Sequence, residues 1–284
     1  MRFSMKNLLF SALLLFAVSQ LKAQSLRSVL DKMYTAIGTT NLMAYDMTSS
    51  ERIGAKMVVK NMSFKVQISP RKVYMKDKDS GVELLYVSGW NNNMPFINPN
   101  GFPWVNVSLD LNSSRVRADG HHPVTHAGFN YLLTQMKNTE KLIAKEGEKI
   151  DNIIKVEGSY TWNGRSCTKI VLTNPDFKFV DYTCTQSETL FNLCERINVS
   201  EYMVMEKNNL GYGAKVYKDK VIKIPNAFAK KVEIFIDKET NLPIYQIVHD
   251  DKGVFEKFEF KNLKINPQLS SGEFTTQCAS YGFK

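Results

Sequence analysis

The sequence predicts an α+β protein in which one curved antiparallel sheet folds around helices and is interrupted by a small strand–helix–helix–strand segment. Three observations predict it: two stretches carry apolar stripes at helical spacing, several others alternate apolar and polar residues, and the segment from Val180 to Pro225 continues neither pattern.

At the chain start, Arg2 and Lys6 precede an apolar run from Leu8 to Val18 that is too short to span a bilayer, and Ala23 supplies a small residue before Gln24. This reads as a secretory signal peptide over residues 1–23, which implies a mature protein in the periplasm. Gln24-Ser25 offers no Cys for a lipid anchor, and no later stretch approaches the ~20 apolar residues of a membrane helix. Arg2, Lys6 and Lys22 would leave with the signal, taking the net charge from +9 to +6. Such mild basicity suits anionic head groups or the carboxylates of peptidoglycan as well as it suits plain solubility. Export and the scatter of Lys and Arg argue against nucleic acid.

Leu26, Val29, Leu30, Met33 and Ile37 make the stripe of a first amphipathic helix. From Leu42 to Leu109 extended runs follow, such as Met57 to Ile68, Lys72 to Lys76 and Val82 to Val87, broken by Ser-Pro, Asp-Ser-Gly and Asn-Pro-Asn-Gly turns. After His121-His122-Pro123, which should start the next helix, Phe129, Leu132, Leu133 and Met136 return to helical spacing, predicting a long second helix to about Lys145. Val156 to Trp162 and Cys167 to Leu172 flank Asn163-Gly164, a pair that accepts the positive φ of a type I′ hairpin turn. The chain closes on a three-strand meander: Val232 to Ile236, Ile244 to Val248 and Phe255 to Phe260. Alternation in these strands means one dry face and one wet face, hence a sheet folded over the helices.

The middle segment is different. Leu190, Leu193, Cys194 and Ile197 form a short helical stripe with Ser187 placed to cap it. Ser200 would cap a second helix, with Val199 and Val204 as a hydrophobic staple, and Asn208-Asn209 would close it before the strand Val221 to Ile224. Four cysteines in an oxidising compartment allow up to two disulfides in three pairings, Cys184 and Cys194 being the closest pair in sequence.

Residues 180–225 resemble a LysM module. Tyr182-Thr183-Cys184, Ser187-Glu188-Thr189-Leu190, Val199-Ser200, Asn208-Asn209-Leu210 and Ile222-Lys223-Ile224-Pro225 match the family's opening strand, turn, second-helix start, helix exit and closing strand in order. The resemblance implies binding of N-acetylglucosamine polymers, chiefly peptidoglycan, in a groove formed by Ser187, Glu188, Thr189 and Leu190 on one side and Asn209, Leu210, Gly211 and Tyr212 on the other. It departs from the family at Ser187, in place of the turn glycine, at Asp219, and at Cys184 and Cys194, which stand for core Val and Ala. The last departure implies a Cys184–Cys194 bridge, and with it Cys167–Cys278. An insert that has lost its sugar would serve as scaffold or protein-contact surface.

The flanking parts, residues 24–179 and 226–284, are similar to the LolA-like superfamily, and within it to a domain-of-unknown-function family of exported bacterial envelope proteins. Leu85-Tyr86 with Gly89, Asn98-Pro99-Asn100-Gly101, the turn from Arg117 to Pro123, and the ending from Ile236-Asp237 through Leu242-Pro243, Asp251-Lys252-Gly253 and Phe258 to Asn266 carry this. It implies an open antiparallel β-barrel wrapped over helices, with an apolar cavity that in the best-known members carries the acyl chains of lipoproteins.

Candidate chemistry is sparse. His121, His122 and His126 could hold zinc, but adjacent histidines in extended chain point to different sides and Pro123 restricts the residue before it. No nucleophile elbow, His-Glu-x-x-His pair or phosphate loop is present. Tyr86, Trp90, Phe96, Phe102 and Trp104 either pack in the core or line the cavity. The expectation is a non-catalytic periplasmic protein without cofactor or metal, holding a hydrophobic ligand or lipoprotein acyl chains and docking on peptidoglycan through its insert. The rivals are a structural envelope protein with a packed barrel and a zinc-dependent envelope enzyme.

Overall fold

The computed structural model describes residues 25–270 and 272–284; the expected signal peptide lies outside the described residues. The first half supplies strands β1 (Leu42–Ile53), β2 (Lys56–Gln67), β3 (Lys72–Asp77), β4 (Glu83–Val87), β5 (Phe96–Asn98), β6 (Val107–Ser108), β7 (Ile154–Trp162) and β8 (Arg165–Thr173). The middle segment adds β9 (Phe179–Thr183), β10 (Glu188–Thr189), β11 (Lys215–Val216) and β12 (Val221–Pro225), and the end adds β13 (Lys231–Asp237), β14 (Pro243–Asp250) and β15 (Gly253–Ile265). Eleven of them form one antiparallel sheet in the order β6-β5-β4-β3-β2-β1-β15-β14-β13-β8-β7. The sheet is open, because its edge strands β6 and β7 do not pair with each other.

Alternation places one side chain in two on the concave face. Register then lays these in rows: Glu51 stands opposite Glu256, Glu256 opposite Val248, Val248 opposite Val232 and Val232 opposite Leu172. The next row runs Lys60, Ser49, Phe258, Gln246, Ile234 and Ile170. The row after that contains Met62, Met47 and Phe260.

Two long helices face this surface. Helix α1 (Leu26–Thr39) is capped by Ser25 Oγ, which accepts from the Ser28 N–H, and it buries the stripe Leu26, Val29, Leu30, Met33 and Ile37. The four-residue helix α2 (Ser114–Arg117) leads towards the His121-His122-Pro123 turn. Helix α3 (Asn130–Lys145) begins seven residues after Pro123 and not at it: Pro123 opens a separate 3₁₀ turn at Val124–His126. Gly128 separates that turn from the helix at φ +85°, where a Cβ would meet Met43 Sδ at 3.2 Å, and its N–H donates to the Tyr45 hydroxyl at 2.8 Å. A short helix α4 (Ile150–Ile153) then feeds the β7–β8 hairpin, whose Asn163 (φ 47°) and Gly164 (φ 73°) adopt the positive φ values that the Asn-Gly pair predicts.

The middle segment leaves the large sheet. β9 pairs only with β12, and β10 with β11, around helices α5 (Leu190–Ile197) and α6 (Glu201–Asn208). Its own core contains Cys184, Leu190, Leu193, Cys194, Val199, Val204, Val216, Ile222 and Ile224. Ser200 caps α6 and Asn209 ends it in the left-handed conformation. Ser187 does not cap α5; Thr189 does, accepting from the Asn192 N–H, while Ser187 Oγ accepts from the Lys218 N–H.

The disulfide expectation fails for all four cysteines, which are buried free thiols. Cys167 belongs to the main core, whereas Cys278 packs with Phe274 and Tyr281 on Tyr74, Leu85 and Val87, the other face of β3 and β4. The chain end settles there because those outward apolar positions need cover, not beside the Asn-Gly hairpin. Cys184 and Cys194 do share the small core, where burial pushes both thiols above their ordinary range and leaves them poor nucleophiles.

Candidate functional site

Between the concave face and α3 lies a cavity of about 230 Å³. A single water centre needs roughly 10–15 Å³ of such space, so the volume fits a ligand and not an isolated solvent molecule. Its walls are mainly apolar, with Tyr45, Met47, Met62, Phe64, Phe258 and Phe260 from the sheet and Leu132 and Met136 from α3. Helical spacing turns Tyr131, Leu132, Gln135, Met136 and Thr139 to one side of α3, and strand alternation supplies the rest.

One end of the cavity is polar. Glu51 and Glu256 are direct cross-strand neighbours, and two like charges so placed repel. The turn after α2 resolves this. The His121 N–H donates to Glu51 Oε2 at 2.5 Å, His121 Nδ1 lies 2.8 Å from Glu256 Oε2, and His122 Nε2 lies 3.0 Å from the same oxygen. His121 packs against the rings of both Tyr202 and Phe255, with centroids at 4.3 and 4.1 Å. Burial alone would raise the Glu256 carboxyl; the charge of His122 and the hydrogen bonds of both histidines outweigh it and hold it at about 2. Burial acts against the His122 charge, yet Glu256 raises its pKa above the ordinary value. His126 is pushed well below its ordinary value by burial and by the charges of His122 and Arg117, and it stacks on Tyr131 at 3.8 Å.

Adjacent histidines thus converge on one carboxylate oxygen instead of pointing apart. Glu51, His121 and Glu256 bring potential metal-ligand atoms within 4.8 Å of one another. Both ring nitrogens of His121 are already engaged, Nδ1 by Glu256 and Nε2 by the Arg52 carbonyl at 3.0 Å, so a metal there would have to displace both. His122 and His126 do face each other, Nδ1 to Nδ1, at 3.4 Å, but His121 does not join them.

The same turn joins the insert to the large sheet. Arg117 Nη1 donates to Glu201 Oε2 at 2.6 Å with both side chains buried, and its Nη2 donates to the His121 carbonyl. The guanidinium lies 4.1 Å from the centre of the Tyr212 ring, and the Tyr212 hydroxyl donates to the Gly120 carbonyl at 2.7 Å. Gly54 N–H donates to the Tyr202 hydroxyl at 2.8 Å.

The residues of the expected glycan groove are therefore not alike. Leu190 is fully buried in the small core and Tyr212 is committed to Arg117 and Gly120, while Ser187, Asn209 and Gly211 are exposed; Glu188 is paired with Arg196, and Thr189 and Leu210 are partly covered. The expected cavity aromatics are a correction: none of Tyr86, Trp90, Phe96, Phe102 and Trp104 lines the cavity. Tyr86 packs in the main core and Phe96 against the outer-face cluster, whereas Trp90, Phe102 and Trp104 are 51, 86 and 65 % exposed in the loops beside β5, at the edge of the sheet. Among the polar residues that line it, Glu51, Gln135, Gln246 and Glu256 belong to no motif in the sequence. Their signal is an inward position in an alternating strand or on an apolar helical stripe.

Fold and site together define an open, curved antiparallel sheet with helices across its concave face and a ligand-sized apolar cavity between them. The chain belongs to the family described as "Protein of unknown function (DUF1571)", whose model matches residues 42–200, more than half its length. Among curated proteins none matches it. Solved structures to which it is similar include LprF from Mycobacterium bovis, at 8 % identity and a TM-score of 0.42 over 86 % of this chain and 94 % of that one. A DUF1329 family protein from Desulfovibrio piger aligns at 9 % identity and a TM-score of 0.33, covering 88 and 96 % of the two chains. A LolA superfamily protein from Nitrosomonas europaea does so at 9 % identity and 0.32, again covering 88 and 96 %. None of the helices among the described residues is long and apolar enough to cross a membrane.

Proposed function

We propose that this chain is a non-catalytic binding protein of the bacterial periplasm, exported by its first 23 residues, that holds a hydrophobic ligand or the acyl chains of a lipoprotein under its open sheet. The observation that carries the reading is the apolar cavity of about 230 Å³ between the sheet and α3. The histidines at its polar end support a positional role, since their hydrogen bonds are spent on Glu51, Glu256 and the Arg52 carbonyl. The test is native mass spectrometry of protein purified without detergent, before and after organic extraction. A bound lipid-mass adduct is expected, and Val232→Phe, which fills the cavity wall, should abolish it. An adduct retained by that variant would place the ligand elsewhere.

A second part of the proposal is that residues 180–225 act as a LysM-like module docking on peptidoglycan. The exposed Ser187, Asn209 and Gly211 favour it, because they leave one strip of the groove open to a glycan. A Cβ on Gly211 meets nothing within 4 Å and the residue is exposed, so Gly211→Trp is chosen to cover that strip, with an unchanged melting temperature as the check on its fold. The protein should co-sediment with insoluble peptidoglycan and the variant should stay in solution; equal sedimentation of both sinks this part alone.

A further inference from the structure

We infer that the cavity selects an uncharged amphiphile, one whose polar end carries a hydroxyl or amide, over a fatty acid or anionic phospholipid, and that Gln135 determines this specificity. The inference rests on reading the cavity as a ligand site and names the ligand class.

Charge decides against an anionic head. The lining residues include four basic side chains, Lys60, Arg117, His122 and His126. Arg117 is spent on Glu201 at 2.6 Å and on Tyr212, His122 on Glu256 at 3.0 Å, and Lys60 on Asp119 at 3.5 Å. His126 is buried and flanked by the charges of His122 and Arg117, which favour its neutral form. Among the described residues, each positively charged lining side chain thus already has an acidic partner in the chain, the loosest being Lys60 with the exposed Asp119. Glu51 and Glu256, both buried at that end, would repel a carboxylate or phosphate. A cationic head fares no better, because Glu256 already holds both histidines and the charges of His122 and Arg117 stand at the same end.

Neutral polar groups tell the opposite story. Gln135 lines the cavity from α3, is only 6 % exposed, and its carbonyl oxygen has no hydrogen-bond partner. Buried amides are almost always satisfied, so an orphan beside an empty volume marks where a ligand group belongs. Rotation about the last side-chain torsion exchanges oxygen and nitrogen, so either end of the amide can meet the ligand. Thr139 lies one turn further along α3, and Gln246 faces the cavity from β14 with its nitrogen already donating to the Pro243 carbonyl at 3.1 Å. A hydroxyl or amide can both donate and accept among such groups, as neither a carboxylate nor a quaternary ammonium can.

The experiment uses the mature protein with the uncharged fluorophore N-phenyl-1-naphthylamine in the cavity. Monolauroylglycerol, laurate and dodecyltrimethylammonium, which share one chain length, compete against it at pH 8. Monolauroylglycerol should displace the probe at about tenfold lower concentration than either ion, the margin set by one satisfied buried hydrogen bond. Gln135→Leu should narrow that margin several-fold, each displacement being referred to the probe affinity measured for the variant itself. Equal or better displacement by laurate or by dodecyltrimethylammonium overturns the inference and leaves the cavity a ligand site. A margin unchanged in Gln135→Leu overturns the role of Gln135, and a wild-type protein that binds neither probe nor amphiphile fails both readings together.

Discussion

At the residue scale, the cross-strand glutamates are the costliest choice in the fold. Glu51 and Glu256 face each other across β1 and β15, and only the His121-His122 turn makes them tolerable. Glu256 is held at about 2, below its ordinary 4.5, so its interactions stabilise the fold above about pH 4.5 and are lost as pH falls towards 2. His122 is raised above 6.5, so its share is present below pH 6.5 and lost as pH rises through its folded value. The pair is therefore strongest between these limits. Urea melts across pH should show a falling stability on the acid side worth roughly 3 kcal/mol, and Glu256→Gln should flatten that limb. A limb of unchanged depth in the variant would assign the acid loss to other carboxylates, such as Glu233, which Lys169 and Lys231 also hold at about 2 against its burial.

At the scale of elements, the hairpin and the insert behave differently. Asn163-Gly164 turns where the dipeptide says it should, because the φ demand is local. Gly164→Ala meets no atom within 4 Å, so its cost is conformational alone, about 1 kcal/mol, readable as a lower melting temperature. The insert is tied down by Arg117 and Glu201, a buried pair joined through one oxygen, with Arg117 Nε and Glu201 Oε1 left unpartnered. Truncating one member strands a buried charge. Glu201→Ala should cost about 3–5 kcal/mol, while the paired change Arg117→Met with Glu201→Leu should cost much less. Hydrogen exchange should show the loss first in residues 180–225, and a uniform change across the chain would argue that the seam does not isolate the insert.

Local chemistry also sets what could be read in advance. The α1 stripe, the meander alternation and the Ser200 and Asn209 caps are visible because each is decided within a few residues. The start of α3 differs from the expected one because Pro123 fits a helix start and a 3₁₀ turn equally well, and only the packing of Gly128 against Met43 separates them. The aromatic run from Tyr86 to Trp104 suits a cavity lining by composition, yet Trp90, Phe102 and Trp104 fall in the loops between short strands at the sheet edge, where alternation does not aim them inward. Glu51 and Glu256 meet only through register, 205 residues apart, and no local pattern announces that.

At the scale of the whole molecule, the sheet stays open while its outer face is partly covered by the chain end, where Tyr281 stacks on Tyr74 at 3.7 Å. The hollow is thus on the helix side, and leaving it unfilled costs packing that a ligand returns. A ligand at a hundred times its Kd would add about 2.7 kcal/mol to the stability of the loaded protein. Val232→Phe separates the two contributions, since it places a ring into the space from the row that contains Val248 and Leu172. The unloaded variant should melt no lower than the unloaded wild type, because the new ring replaces missing contacts, and it should gain nothing from added amphiphile. A variant that melts much lower when empty would mean the hollow is already filled by side-chain motion, and the sheet would then be a packed wall with no vacancy to offer.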